Sequence, residues 1–424
     1  ATATAPPSSL CAPAQALSTV PESQARSYDA VNGGLAGVIE SANRAGLEML
    51  ASLLAAQQKS IFVSPLSIVS CMAMALHGAR GETQTAMLHC FHGQSAGADI
   101  FTKQIGSLAI VMQSRDPQVA FHSANSIWSQ FCSDQYMASC SQRFQAEVRR
   151  EAPLAETINA WCAEKTQGMI PKVFDMNPDP NGAVLVNALY FKGEWTNPCR
   201  KELTRKMPFH TLAGWQAQCN MMSLEPPDSG KFLYADEDTF QIVALSYGTS
   251  GHYSAVLVLP RSSSSPTLTW SHTNGPHSSH SPPAAATRPR VASLQEVLTG
   301  VIANWAAICG RLGPVKGTAS LPRFKVEFET ELSDLLRHRG MGVAFQDGAD
   351  FSGMTEGGQA RPLRLSQVIH KTVVEVDEVG TKAAAVTAGA MFGCAMPPPE
   401  PRFQMTCDHP FMFLIRHNES NVIV

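Results

Sequence analysis

No window of 18 or more uninterrupted apolar residues occurs in this 424-residue chain, so no helix-length membrane span is written into it. Nor is there an excess of charge of one sign. Its 32 Lys and Arg stand against 35 Asp and Glu, for a net charge of −3, and no basic cluster resembles a phosphate-binding stripe. That argues against nucleic acid as a partner and leaves no evident heparin-type cofactor site. The eleven cysteines, an odd number at irregular spacing, form no CxxC metal pattern and no disulfide framework, so mostly buried free thiols are expected. The opening ATATAPPSSL holds neither a Met nor an apolar signal core, as in a chain whose signal peptide has been removed or whose sequence has been trimmed. What is present is 44% apolar and 16% charged residues, ample material for a core.

Residues 1–34 are rich in Ala, Ser and Pro without apolar periodicity and read as a flexible extension, with Cys11 exposed in it. From Leu35 the pattern turns helical, with Leu35, Ile39, Leu47, Leu50, Leu53 and Leu54 on one face of a helix over 35–58. A short apolar strand at 61–63 then meets Ser64 and Pro65, and a second helix runs from Leu66 to Gly78. Strand-like runs follow at 119–128, 183–192, 240–247, 253–259, 321–328, 368–376 and 411–416. Helices interleave early and strands dominate late, which predicts an α+β fold. Residues 261–290 are Pro/Ser-rich and low in complexity, a surface insertion. His272, His277 and His280 within it have no Cys or carboxylate beside them and are read as part of a solvated loop, so no metal site is named.

The segment 378–401, EVGTKAAAVTAGAMFGCAMPPPEP, raises a different question. It has almost no charge, too many small residues to pack a core, and a Pro triplet that no sheet or helix interior accepts. Gly380 and Thr381 can change backbone angles cheaply, and Ala383, Ala384 and Ala385 could pass under covering helices in a central strand. Pro397, Pro398 and Pro399 could not pair there.

Seven segments, IFVSPLSI, VLVNALYFKGEW, MPFH, LPRFKVEFETEL, DFSGM, VIHKTVVEVDEVGTKAAA and DHPFMFLIRHN, resemble serpin segments and occur in serpin order. The resemblance spans 35–424 as a single domain. It implies three β-sheets, eight to nine helices and an exposed reactive loop at 378–401. It further implies an irreversible suicide inhibitor of serine proteases, not an enzyme, with a covalent acyl complex as its partnership and a monomeric state. No cofactor is implied. The family's spacing, counting Gly380 as the first of fifteen residues, places the scissile bond at Cys394–Ala395. A slip of two would make Phe392 the anchor. Either suits an elastase-like or chymotrypsin-like pocket, since residues 383–401 lack Lys and Arg until Arg402.

By the same resemblance, Glu378, Gly380, Thr381, Ala383, Ala384 and Ala385 form the hinge. Ser64, Asn187 and His370 match the polar cluster beneath the sheet-opening point. Trp195, Glu378 and Arg323 fall where the loop enters, with Arg323 and Glu378 as a candidate ion pair. The chain departs from the family's pattern at Lys382, where inhibitory members carry Glu. Only nine residues separate Val148 from Ile158, fewer than usual, which shortens the helix across the large sheet or its approach. The 261–290 insertion is a further departure, and the final NVIV stops where serpins continue through another strand, so the C-terminal strand reads as truncated.

Three other readings stay open beside this one. A non-inhibitory serpin, acting as substrate, binder or chaperone, is the alternative function. Cys407, Asp408 and His409 list nucleophile and base types side by side, although adjacent strand residues point to opposite faces. Cys394 could be a redox-regulated thiol, although a small apolar anchor is the plainer reading. Asn418-Glu419-Ser420 is a glycosylation sequon set between apolar strand residues. Family habit favours secretion over a cytoplasmic setting, while the cysteines fit a reducing one equally.

Overall fold

The computed structural model describes residues 22–57, 59–112, 116–227, 229–261, 292–358, 363–380 and 402–424, with backbone alone over 22–34. Among them are eight α-helices: α1 (Glu22–Ala56), α2 (Pro65–Gly78), α3 (Gly81–Cys90), α4 (Ala98–Val111), α5 (Asp134–Phe144), α6 (Ala155–Lys165), α7 (Leu294–Arg311) and α8 (Ser333–Leu336). The strands are β1 (Val119–Trp128), β2 (Glu147–Arg149), β3 (Ala183–Gly193), β4 (Arg205–His210), β5 (Gln216–Leu224), β6 (Phe232–Asp236), β7 (Phe240–Tyr247), β8 (Tyr253–Pro260), β9 (Gly313–Pro322), β10 (Phe324–Glu331), β11 (Leu365–Val376), β12 (Arg402–Thr406) and β13 (Met412–His417).

Helix α2 is buried along nearly its whole length, as its sequence PLSIVSCMAMALHG requires. Ser64 caps it, its Oγ accepting from Ser67 N–H at 3.2 Å, and Pro65 occupies the first turn, where no donor is needed. Helix α1 crosses it so closely that a Cβ on Gly46 would stand 2.2 Å from Pro65 Cβ. α1 begins at Glu22, not at Leu35 as the apolar pattern implied. The buried turns from Leu35 onward supply the nucleus, and Glu22, Gln24, Ala25 and Arg26 have the helix propensity to propagate it toward the N-terminus.

Five strands form the first sheet in the order β10-β11-β3-β1-β2. At its centre β11 and β3 run parallel, while β10 pairs β11 and β1 pairs β3 antiparallel. Strand β3 is buried on both faces, which is why VLVNALYF reads as a continuous apolar run and not an alternating one. Val184, Val186 and Ala188 pack with Trp128, Ile369 and Val373 against Ile158, Trp161 and Cys162 of α6. Leu185, Leu189 and Phe191 belong to the main core with α2. The short link 150–154 carries β2 into α6, and Arg150 braces it by reaching Asp134 at 2.7 Å.

The second sheet runs β13-β8-β7-β6-β9-β5-β4, with β12 also on β9. β9 belongs to two layers: residues 313–315 pair with β6, and 316–322 pair with β12 and β5, so the halves it joins, with the first sheet, make three. Helix α7 closes the β6–β8 half through Val297, Val301 and Ile308. Two strand expectations need correction. Residues 61–63 join no sheet; instead Phe62 C=O accepts from Thr372 Oγ1 at 2.6 Å. The single run at 321–328 is two strands, β9 and β10, broken at Arg323, whose N–H turns to Asn220 C=O at 2.8 Å as the chain passes between sheets.

The α1–α2 crossing yields a paired test. Gly46→Ala forces a methyl into Pro65 and is expected to cost about 1–3 kcal/mol by overpacking. Gly37→Ala, in the same helix with nothing within 4 Å of the added methyl, is expected to be neutral or to stabilise by about 0.5–1 kcal/mol. Thermal midpoints of the two variants that move together would contradict this account of the crossing.

Candidate functional site

Three polar side chains stand in one row across the first sheet. His370 of β11 lies opposite Asn187 of β3, and Asn187 lies opposite Asn125 of β1. The row faces the start of α2, where Ser64 N–H donates to His370 Nε2 at 3.1 Å. With Nε2 an acceptor, the ring proton sits on Nδ1 and is donated to Asn187 Oδ1 at 2.5 Å. Asn187 Nδ2 then spends its two hydrogens on Asn125 Oδ1, at 2.5 Å, and on Ser67 Oγ. Ser67 Oγ also lies 2.7 Å from Ser123 Oγ. His370 is fully buried, and burial pushes its imidazole down to about 3, so it is neutral.

Above this row the two central strands part. Their pairing ends at Tyr190 opposite Val373. Beyond it, among the described residues, 191–193 keep β1 alone as a ladder partner and 374–376 keep β10 alone. β11 ends at Val376, and Asp377 reverses the chain: its Oδ1 accepts from Val379 N–H at 2.9 Å and Gly380 N–H at 3.2 Å, and its N–H donates to Gly380 C=O at 2.9 Å. The segment after β3 holds this turn. Trp195 N–H donates to Val379 C=O at 2.9 Å, Trp195 Nε1 to Asp377 C=O at 3.0 Å, and Cys199 N–H to Glu378 C=O at 2.7 Å. The Trp195 ring stacks on Tyr247 with centroids 4.5 Å apart. Gly380 has φ +134°, and a Cβ there would lie 2.4 Å from Gly193 O and 2.5 Å from Trp195 N, so only glycine fits.

The structure thus brings Ser64, Asn187 and His370 together, and separately Trp195, Glu378 and Gly380. The ion pair expected between Arg323 and Glu378 is long, at 3.9 Å, with the Arg323 side chain 51% exposed. The close partner of the buried Glu378 carboxylate is Thr204, whose Oγ1 donates at 2.8 Å. Sequence reasoning missed Ser67, Ser123, Asn125, Thr204 and Asp377. The signal for Ser67 was its spacing of three from Ser64, and for Ser123 and Asn125 the polar alternation within HSANS. Ser64 also acts differently from a side-chain partner: its hydroxyl caps α2, and its backbone N–H meets His370.

Thr381, Lys382, Ala383, Ala384, Ala385, Phe392, Cys394 and Ala395 lie outside the described residues, as do Cys11 and the histidines of the insertion. Among the described residues all nine cysteines are free and eight are buried. Cys407 cannot act with His409: burial pushes the thiol far up, and His409 spends Nδ1 on Asp408 Oδ1 at 2.7 Å and Nε2 on Pro260 C=O at 2.8 Å. The Asn418 amide is engaged too. Its Oδ1 accepts from Arg416 Nη2 at 2.9 Å and from Ser254, and its Nδ2 donates to Gly251 C=O at 2.7 Å, bonds that an N-glycan would disrupt.

A family model described as "Serpin (serine protease inhibitor)" matches residues 40–281 and 283–424. Serpin B6 of Bos taurus is 32% identical over 393 residues, covering 89% of this chain and 95% of that protein. Leukocyte elastase inhibitor of Xenopus tropicalis is 30% identical, covering 86% and 91%. Among solved structures, the thermophilic serpin tengpin in its native state overlays with a TM-score of 0.72 at 25% identity, covering 91% of this chain and 92% of that one. Human thyroxine-binding globulin overlays at 0.74 with 20% identity, covering 92% and 97%, a likeness of fold alone.

Two outcomes are expected at this site. Gly380→Ala drives a methyl into backbone atoms, so the turn must open at a cost of about 1–3 kcal/mol; hydrogen exchange should show lost amide protection at Trp195 and Cys199, and unchanged protection would refute the close-approach account. For His370, an unfolded histidine titrates near 6.5 and the folded one at about 3. Between these values the unfolded chain binds the extra proton, so stability is full above 6.5 and declines as pH falls, by up to about 1.4 kcal/mol per pH unit. The thermal midpoint should drop from neutral pH to about pH 5. In His370→Asn the slope should flatten, with a remainder from His417, which burial holds at about 4.

Proposed function

The chain belongs to the serpin family, and on that premise we propose that it is an irreversible suicide inhibitor of serine proteases with elastase-like or chymotrypsin-like pockets. The observation that carries the reading is the parted pair of parallel central strands with a turn at its mouth. A strand set between two parallel strands pairs with both in the same sense, and a chain that turns back tightly from one of them enters antiparallel to both. A chain leaving β11 through the reversal at Asp377 and Gly380 is already aimed in that direction.

The proposed sequence of events begins with attack by the protease serine on the Cys394 carbonyl. The Cys394–Ala395 peptide bond breaks, Ala395 leaves as a free amine, and Cys394 remains esterified to the protease. The freed segment from Gly380 to Cys394 then advances fourteen residues between β3 and β11. At roughly 3.3 Å per residue it spans about 46 Å, enough to run the length of the 12-residue β11 and carry the attached protease with it. About ten new backbone hydrogen bonds at a net ~1 kcal/mol each would contribute on the order of 10 kcal/mol, comparable to a whole domain's stability. The starting state is on this reading kinetically trapped, and the protein supplies a bond and stored strain but no catalysis. Opening would proceed by breaking the His370–Asn187 contact, beneath which α2 offers Ser64 and Ser67 to re-form bonds. The neutral Cys394 or Phe392 anchor sets the target class, in keeping with a relative whose name is leukocyte elastase inhibitor.

Mixing the protein separately with pancreatic elastase, chymotrypsin and trypsin tests this. The expected result is an SDS-resistant adduct with the first two, not with trypsin, and a released C-terminal peptide beginning at Ala395. Ala384→Pro, which removes a ladder donor from the inserting segment, should still be cleaved yet form no adduct. Cleavage without adduct in the unaltered protein would overturn the inhibitor reading in favour of a serpin that merely presents its loop, and a peptide beginning at Gly393 would move the anchor to Phe392.

A further inference from the structure

A separate cluster lies at one end of the second sheet. His252 sits in the turn between β7 and β8, His417 is the last residue of β13, and Glu419 follows it by two. The backbone ladder brings them together: Tyr253 pairs opposite His417, and Asn418 N–H donates to His252 C=O at 2.7 Å. The two imidazoles stack with centroids 6.2 Å apart and planes 16° from parallel. His252 Nδ1 lies 3.1 Å from Glu419 Oε1. One ligand-type atom from each of the three residues falls within 4.8 Å of the others.

We propose that His252, His417 and Glu419 form a divalent metal site of the zinc type, tying the β7–β8 turn to the end of β13. Two imidazoles and a carboxylate are a three-ligand set that zinc accepts with water in the fourth position. With metal–ligand bonds of roughly 2.0–2.1 Å, a tetrahedral site needs ligand atoms about 3.3 Å apart, and the His252–Glu419 edge is already near that length. The longer edges close by rotation of His252 and Glu419, whose side chains are 52% and 45% exposed. His417 is the fixed point. It is buried, and Ser420 Oγ lies 2.8 Å from its Nδ1; a ring donating there keeps the Nε2 lone pair for a metal. Nitrogen and mixed oxygen donors favour zinc, cobalt, nickel or copper over calcium and magnesium. The metal would replace the direct contact between His252 Nδ1 and Glu419 Oε1.

The location gives the site a consequence. The same β7–β8 hairpin carries Tyr247, on which Trp195 stacks at the loop-entry turn. A metal at its tip would stiffen the support beneath that turn.

Cobalt(II) titration of the full-length protein, with zinc(II) in parallel thermal melts, tests the proposal. The unaltered chain is expected to bind one cobalt ion with a visible d–d spectrum and no thiolate charge-transfer band, and zinc should raise its thermal midpoint. His252→Asn and Glu419→Gln change exposed side chains and leave the fold in place; each should weaken metal binding at least about tenfold, and Ser420→Ala, which frees the His417 ring, by roughly tenfold. The proposal is overturned if the unaltered chain takes up no cobalt, if a thiolate band appears and places the ion on a cysteine such as Cys219, or if both ligand variants bind as tightly as the original.

Discussion

A neutral imidazole holds the centre of this protein together. His370 accepts from the first turn of α2 and donates across the parallel β11–β3 pair, and a neutral ring can do both only in one tautomer. Each neighbour depends on it in turn, since Asn187 then has its two N–H groups free for Asn125 and Ser67. A charged pair in this position would carry a heavy burial cost, and an apolar one would pack shut. Neutral hydrogen bonds of about 0.5–1.5 kcal/mol net each close the strands firmly enough for a native state, yet are exceeded by what a full inserted strand could supply.

Around that bond the geometry leaves few choices. β3 is buried on both faces, α2 beneath and α6 above, so any strand set beside it must carry small side chains. β11 ends at a reversal that Asp377 caps and Gly380 alone can complete, because a Cβ would strike Gly193 and Trp195 backbone. The turn therefore sits over the open ends of the central strands, held by Trp195, Cys199 and Thr204. Family membership and this arrangement support the same reading of the segment that follows.

Much of this was legible beforehand. The ordered motifs identified the family, and Ser64, Asn187 and His370 were named as one cluster, which the structure does place together. The family resemblance sets Arg323 and Glu378 together at the loop entry, where their charges suggest a pair, whereas packing gives Glu378 a hydroxyl partner and leaves Arg323 half in solvent. α1 proved longer than its apolar stripe because a nucleated helix propagates through residues of good helix propensity, and the run at 321–328 concealed a change of sheet that apolar content does not register.

By itself the sequence determined what is local: that Ser64 and Pro65 open α2, which strands are buried on both faces, which residues permit backbone reversal, and which segment could not be core. Tertiary structure alone decided the pairings between distant residues. His252 and Glu419 are 167 positions apart and Asn187 and His370 183 apart, and nothing near either member of a pair announces the other. Side-chain periodicity is set by neighbouring φ and ψ angles, but which side chains meet is set by strand register, and register is an outcome of packing the whole core at once.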